Sequence, residues 1–130
     1  MDCKDLMVDD LVKVDQTTET VTARVLGVHK DGVINYEVDY SGVRATNIIH
    51  ADYVSPIGLT EDILVKNRFA LDKSLAEIGA RVYARPCPAG DLSVKVFHDG
   101  SIRFGFIKLT YVHQLQHLLR LAGVQKEIEL

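Results

Sequence analysis

The chain has 130 residues, 47% of them apolar and 25% charged, with fifteen Lys or Arg against eighteen Asp or Glu. That is the length and balance of one ordinary globular domain or two very small ones, and it excludes disordered, collagen-like and coiled-coil classes. No apolar run approaches the ~18 residues of a membrane span, and the acidic opening MDCKDLMVDD is unlike a signal peptide. Two cysteines, Cys3 and Cys87, are too few for a disulfide scaffold or a four-cysteine zinc site, so a cytoplasmic protein with reduced thiols is expected. Charge is uneven along the chain. From Met1 to Gly58 five cations face ten carboxylates, a net of −5, and from Leu59 to Leu130 ten face eight, a net of +2. The acidic first part repels phosphate backbones and the second has no run of cations, which argues against nucleic-acid binding.

In chain order, the first part reads as short strands. Leu11–Val14 follows the turn-like Asp9-Asp10. Val21, Ala23, Val25 and Gly27 alternate with Thr22, Arg24 and Leu26, the period of a half-buried strand. His29-Lys30-Asp31-Gly32 is a hairpin signal. Ile34, Tyr36, Val38 and Tyr40 then share one face of a strand, with Asn35, Glu37 and Asp39 on the other. Ser41-Gly42 turns the chain into a strand over Val43–Ile49, Ala51-Asp52-Tyr53 reads as one helical turn, and Val54–Ile57 as a last strand that Pro56 confines to an edge or end.

From Leu59 the period changes. Thr60 is a predicted N-cap with Glu61 and Asp62 in the first turn of a helix ending near Asn67. Leu71–Ile78 is read as a short turn or helix, and Arg81–Arg85 as a strand stopped by Pro86-Cys87-Pro88-Ala89-Gly90. A three-residue loop, His98-Asp99-Gly100, best registers the next hairpin, pairing Val96 with Ile102, Val94 with Phe104 and Leu92 with Phe106. Thr110 is the predicted cap of a helix over Tyr111–Ala122, stopped by Gly123, whose stripe Val112, Leu115, Leu118, Leu119 and Ala122 should cover the hairpin sheet. The tail Glu127–Leu130 is a candidate edge strand.

Two resemblances follow from particular residues. DLMVDDLVKV and ADYVSPI look like the opening and closing segments of SH3-like small barrels, with Asp9 where those barrels carry glycine. PIGLTEDILVKNRF and IKLTYVHQLQHLLRLAGVQKEIEL resemble a family of short proteins of Bacteroides-type gut bacteria, their phages and mobile elements, a family without an assigned activity. Gly58 and His117 depart from that family's pattern, which has proline and asparagine there. The expected fold is α+β: an SH3-like small barrel over residues 1–58, then a β-meander packed against a C-terminal helix over 59–130, the two halves forming one compact unit.

Candidate chemistry is sparse. His113 and His117, at i and i+4 on the last helix, could share a metal. Gln114 stands where a metalloprotease carries its glutamate base, and His98, Asp99, His50 and Glu127 are third ligands without a spacing argument. No metal or cofactor is therefore expected, with both histidines pointing outward. Cys87 is read as an incidental thiol, and no serine elbow or phosphate loop is present. Among the tyrosines, Tyr36 and Tyr40 read as core, and Tyr53 is the best pocket candidate, with Glu37 and Asp39 nearby on the outer face. The expected function is a noncatalytic protein-interaction module with a basic partner. Its alternatives are a small metal-dependent enzyme on His113 and His117, or an accessory nucleic-acid binder using Lys95, Arg103 and Lys108.

Overall fold

The computed structural model describes residues 5–73, 79–125 and 127–130. The chain divides into two compact units, Met1–Ile57 and Gly58–Leu130, and its described residues form two antiparallel five-stranded sheets. The class is α+β, and no helix among the described residues is long and apolar enough to cross a membrane.

The first unit contains β1 (Leu11–Asp15), β2 (Thr20–Val28), β3 (Val33–Tyr40), β4 (Val43–His50), a 3-10 turn at Ala51–Tyr53 and β5 (Val54–Pro56), in sheet order β4-β3-β2-β1-β5. Among the described residues no ladder joins β4 to β5, so strand pairing defines a five-stranded sheet with two edges. Pro56 ends an edge strand, where its missing N–H costs no ladder bond. Alternation puts Val12, Val14, Ala23, Val25, Ile34, Tyr36, Val38 and Val54 into one core with Leu6 and Ala51. The strict alternation expected of β2 fails at its end. A bulge at Leu26 lets Val25 face Tyr36 while Gly27 faces Asn35, so Gly27 lies on the opposite side from Val25.

Asp9 has a left-handed backbone (φ 74), a conformation that glycine adopts without steric cost. It closes a turn whose two ends are tied to β2, the Asp9 N–H donating to Val25 O and the Val25 N–H to Asp10 O.

The second unit contains α1 (Glu61–Lys66), β6 (Ala70–Leu71), β7 (Ala80–Arg85), β8 (Leu92–Phe97), β9 (Ile102–Phe104), β10 (Ile107–Leu109) and α2 (Val112–Leu121), with its strands in the meander order β10-β9-β8-β7-β6. Leu71 is in a strand, and Ser74–Ile78 of the predicted turn or helix lies outside the described residues. Thr60 caps α1 through a bond from the Ile63 N–H at 3.3 Å. The three-residue loop is present: Val96 pairs with Ile102, the Phe97 N–H donates to Ser101 O, and Gly100 supplies the positive φ of 84° that the loop demands. The expected pairing of Leu92 with Phe106 is corrected. Gly105-Phe106 turns the chain again, so Phe104 pairs with Ile107 and Phe106 stands wholly in solvent instead of facing Leu92.

Three further expectations change in α2 and the tail. Tyr111, not Thr110, is the N-cap, and Gln114 Oε1 accepts both the Thr110 and Tyr111 N–H groups. The buried positions are Val112, His113, Leu115, Gln116 and Leu119. At 100° per residue this arc is rotated by about 70° from the predicted leucine stripe, so His113 turns inward and Leu118 is only half-buried. The tail is not an edge strand. The Asn67 side chain holds Glu129 by two backbone bonds, Nδ2–H to Glu129 O at 2.7 Å and Glu129 N–H to Oδ1 at 2.8 Å.

Both helices end in the same way. Phe69 N–H donates to Leu64 O and Arg68 N–H to Val65 O after α1, and Val124 N–H to Leu119 O and Gly123 N–H to Arg120 O after α2. The left-handed residue is Arg68 (φ 70) in one case and Gly123 in the other, where a Cβ would also stand 3.0 Å from Pro88 Cβ. Arg68→Gly is therefore expected to stabilise the protein by about 1 kcal/mol, seen as a higher denaturant midpoint. Asp9→Gly should gain less, because it gives up the exposed 3.0 Å ion pair to Arg24. An unchanged midpoint for Arg68→Gly would contradict the strain argument.

Candidate functional site

The inner face of the first sheet is open where it meets β4. Tyr36↔Asn47 and Val38↔Ala45 are paired, so these four side chains share one face, yet Ala45 and Asn47 are exposed. The result is a groove of ≈ 840 Å³ between the 15–18 turn, the β3–β4 face and Tyr53. Tyr36 is its floor at 2% exposure, while Tyr40 at 42% and Tyr53 at 58% present their rings to solvent. Gln16 joins two of the three rings, its Nε2 donating to Tyr36 Oη at 3.1 Å and its Oε1 accepting from Tyr40 Oη at 3.2 Å. Among the described residues, Asp15, which accepts from the Thr20 hydroxyl, is the one carboxylate in the lining, and no Lys or Arg lines the groove.

The predicted cluster of Tyr53, Glu37 and Asp39 is not brought together. Tyr53 lines the inner groove, whereas Glu37 and Asp39 alternate onto the other face of β3. Glu37 accepts from Arg24 at 2.8 Å and lies 4.0 Å from Arg44, and Arg24 also reaches Asp9. Asp39 accepts the Gly42 N–H at 2.7 Å inside its own turn. Both carboxylates thus serve local structure. Gln16 was missed because its role depends on partners twenty and more residues away, Tyr36 and Tyr40, and Asp15 because its local bond to Thr20 gives no sign that it lines a groove.

The histidine pair also differs from expectation. His113 is buried at 4%, its ring stacked on Tyr111 and edge-on to His117, both at 5.7 Å between centroids. Among the described residues no three metal-ligating side chains converge. His50 caps the 3-10 turn by accepting the Asp52 N–H at 3.2 Å. Cys87 is half-buried with its thiol donating to Arg85 O at 3.6 Å. At the β8–β9 loop, the hydroxyl and N–H of Ser101 donate to Asp99 and hold its carboxyl below the usual range. Arg81 is held protonated more firmly than usual by its hydrogen bond and ion pair with Glu61.

The fold and groove describe an α+β protein with an aromatic, weakly acidic cleft on a small antiparallel sheet. No family model, curated protein or solved structure matches the chain.

Proposed function

We propose that this chain is a noncatalytic interaction module whose first unit, an SH3-like small barrel, holds a basic segment of a protein partner in the Tyr36–Tyr40–Tyr53 groove. The strand order β4-β3-β2-β1-β5, with a 3-10 turn leading into β5 beside β1, supports the barrel assignment. The observation that carries the functional reading is the lining itself: among the described residues, three tyrosines, one carboxylate and no cation. Aromatic faces attract ammonium and guanidinium groups electrostatically, and the net −5 of Met1–Gly58 strengthens that field at low salt. The likeness of Pro56–Phe69 and Ile107–Leu130 to short proteins of phages and mobile elements supports a role in such a setting.

Calorimetric titration of the protein with an extended lysine-rich peptide should give binding that weakens with salt, while a glutamate-rich peptide should not bind. Tyr53→Ala should weaken the basic peptide about 3- to 30-fold, the range of a cation–π contact from exposed to desolvated. Charge reversal at Glu37 and Asp39 should matter less, since they face the other way. Loss on charge reversal with Tyr53→Ala silent would move the site to the outer face. Turnover of any substrate would reject the noncatalytic class.

A further inference from the structure

The second sheet carries a separate surface. Register places Lys95 opposite Arg103 and Arg103 opposite Lys108, so three cations from β8, β9 and β10 stand side by side on one face. The adjacent row, Val96, Ile102 and Leu109, is buried, which fixes the cation row on the opposite side of the sheet from it. With strands ~4.8 Å apart the row spans about 10 Å, enough for neighbouring phosphates of one strand. Arg103 and Lys108 are exposed and Lys95 half-buried.

Aromatic rings flank the row along the strand direction. Phe97 is two residues beyond Lys95 on the same face, about 7 Å away along the strand, and the Arg103 guanidinium lies over its ring at 5.7 Å. On the other side Phe106, at the β9–β10 turn two residues before Lys108, is fully exposed. Cations that track a backbone, with aromatic rings beside them for bases, are the two components of single-strand recognition.

We propose that this face of the second unit binds a single-stranded polynucleotide, with phosphates on Lys95, Arg103 and Lys108 and bases stacked on Phe97 and Phe106. This site is independent of the peptide groove. An anionic bilayer is the other polyanion to weigh. It would take the Phe106 turn end-on and leave Phe97 unused, whereas a nucleic acid engages both rings and the row between them. The lack of a run of cations in the second part argued against nucleic acid because a row assembled from three strands leaves no run in the sequence.

The test is fluorescence anisotropy of short labelled oligo-dT and oligo-U with the full chain, with duplex of equal length and phosphatidylglycerol vesicles as comparisons. Single strands should bind in preference to duplex, with a slope of log affinity against log salt of about −2 for three phosphate contacts. Arg103→Glu with Lys108→Glu should weaken binding roughly tenfold or more, and Phe106→Ala roughly fivefold or more. Tyr53→Ala should leave it unchanged. Arg103→Gln with Lys108→Gln provides a milder variant if charge reversal lowers the thermal midpoint. No binding at low salt, equal affinity of the variants, or capture by vesicles without oligomer binding would each overturn the proposal.

Discussion

Replacing Asn67 by alanine is expected to destabilise the protein by about 2–4 kcal/mol and to release the C-terminal tail. Asn67 is a buried polar residue whose side chain bonds to backbone: Nδ2 donates to Ile63 O and Glu129 O, both at 2.7 Å, and Oδ1 accepts the Glu129 N–H at 2.8 Å. Alanine leaves these backbone groups to recover water or remain unsatisfied, and unsatisfied buried groups cost more than the net value of the bonds lost. The loss should spread, because the Asn67 carbonyl also accepts from the buried Arg85 guanidinium at 3.0 Å. Asn67→Asp is the sharper probe. It retains an acceptor for the Glu129 N–H but turns the donor to two carbonyls into a second acceptor, so it should cost at least as much as alanine. Denaturant unfolding measures the energy, and amide hydrogen exchange at Ile128 and Glu129 measures the tail. A cost below about 0.5 kcal/mol, or unchanged exchange at Glu129, would show that Asn67 is not the anchor.

Asp10→Ala is expected to cost about 2–3 kcal/mol. Its side chain is fully buried, and Oδ2 accepts the Met7 N–H at 2.8 Å while the Asp10 N–H donates to Met7 O at 3.1 Å. Alanine removes this bond without filling the space and leaves the Met7 N–H to find another partner. The turn so closed presents Asp9 and Asp10 to Val25 of β2, so its loss should loosen the start of β1 and the seat of Leu6, which is 6% exposed. Asp10→Asn keeps the shape and one acceptor and should cost about half as much. Equal stability of Asp10→Ala and wild type would refute this role for the carboxylate.

Much of the strand order was legible because alternation and turn chemistry are local. The period of two over Ile34–Tyr40, the glycines of the hairpins and the Thr60 cap each act within a few residues, and each element formed where its pattern lay. The misreadings share one cause. The Leu26 bulge, the Gly105-Phe106 turn and the rotation of α2 are choices among local conformations of similar energy, and packing across the fold makes them. A leucine count favours one face of α2, but burial of Val112, His113 and Gln116 with Leu115 and Leu119 selects another.

The candidate site was legible only in part. Tyr53 stood out as the best pocket candidate, but Glu37 and Asp39, expected near it, lie on the opposite face of the sheet. By itself the sequence determined the antiparallel class, the positions of most turns and caps, and the acidic character of the first part, since these follow from side-chain period, backbone φ preference and charge. Only the tertiary structure decided which tyrosines line one groove, that Gln16 joins two of them, and that Lys108 completes one row with Lys95 and Arg103. The reason is register: a strand offers each side chain two faces, and the partner strand's alignment, set by distant residues, decides which groups meet.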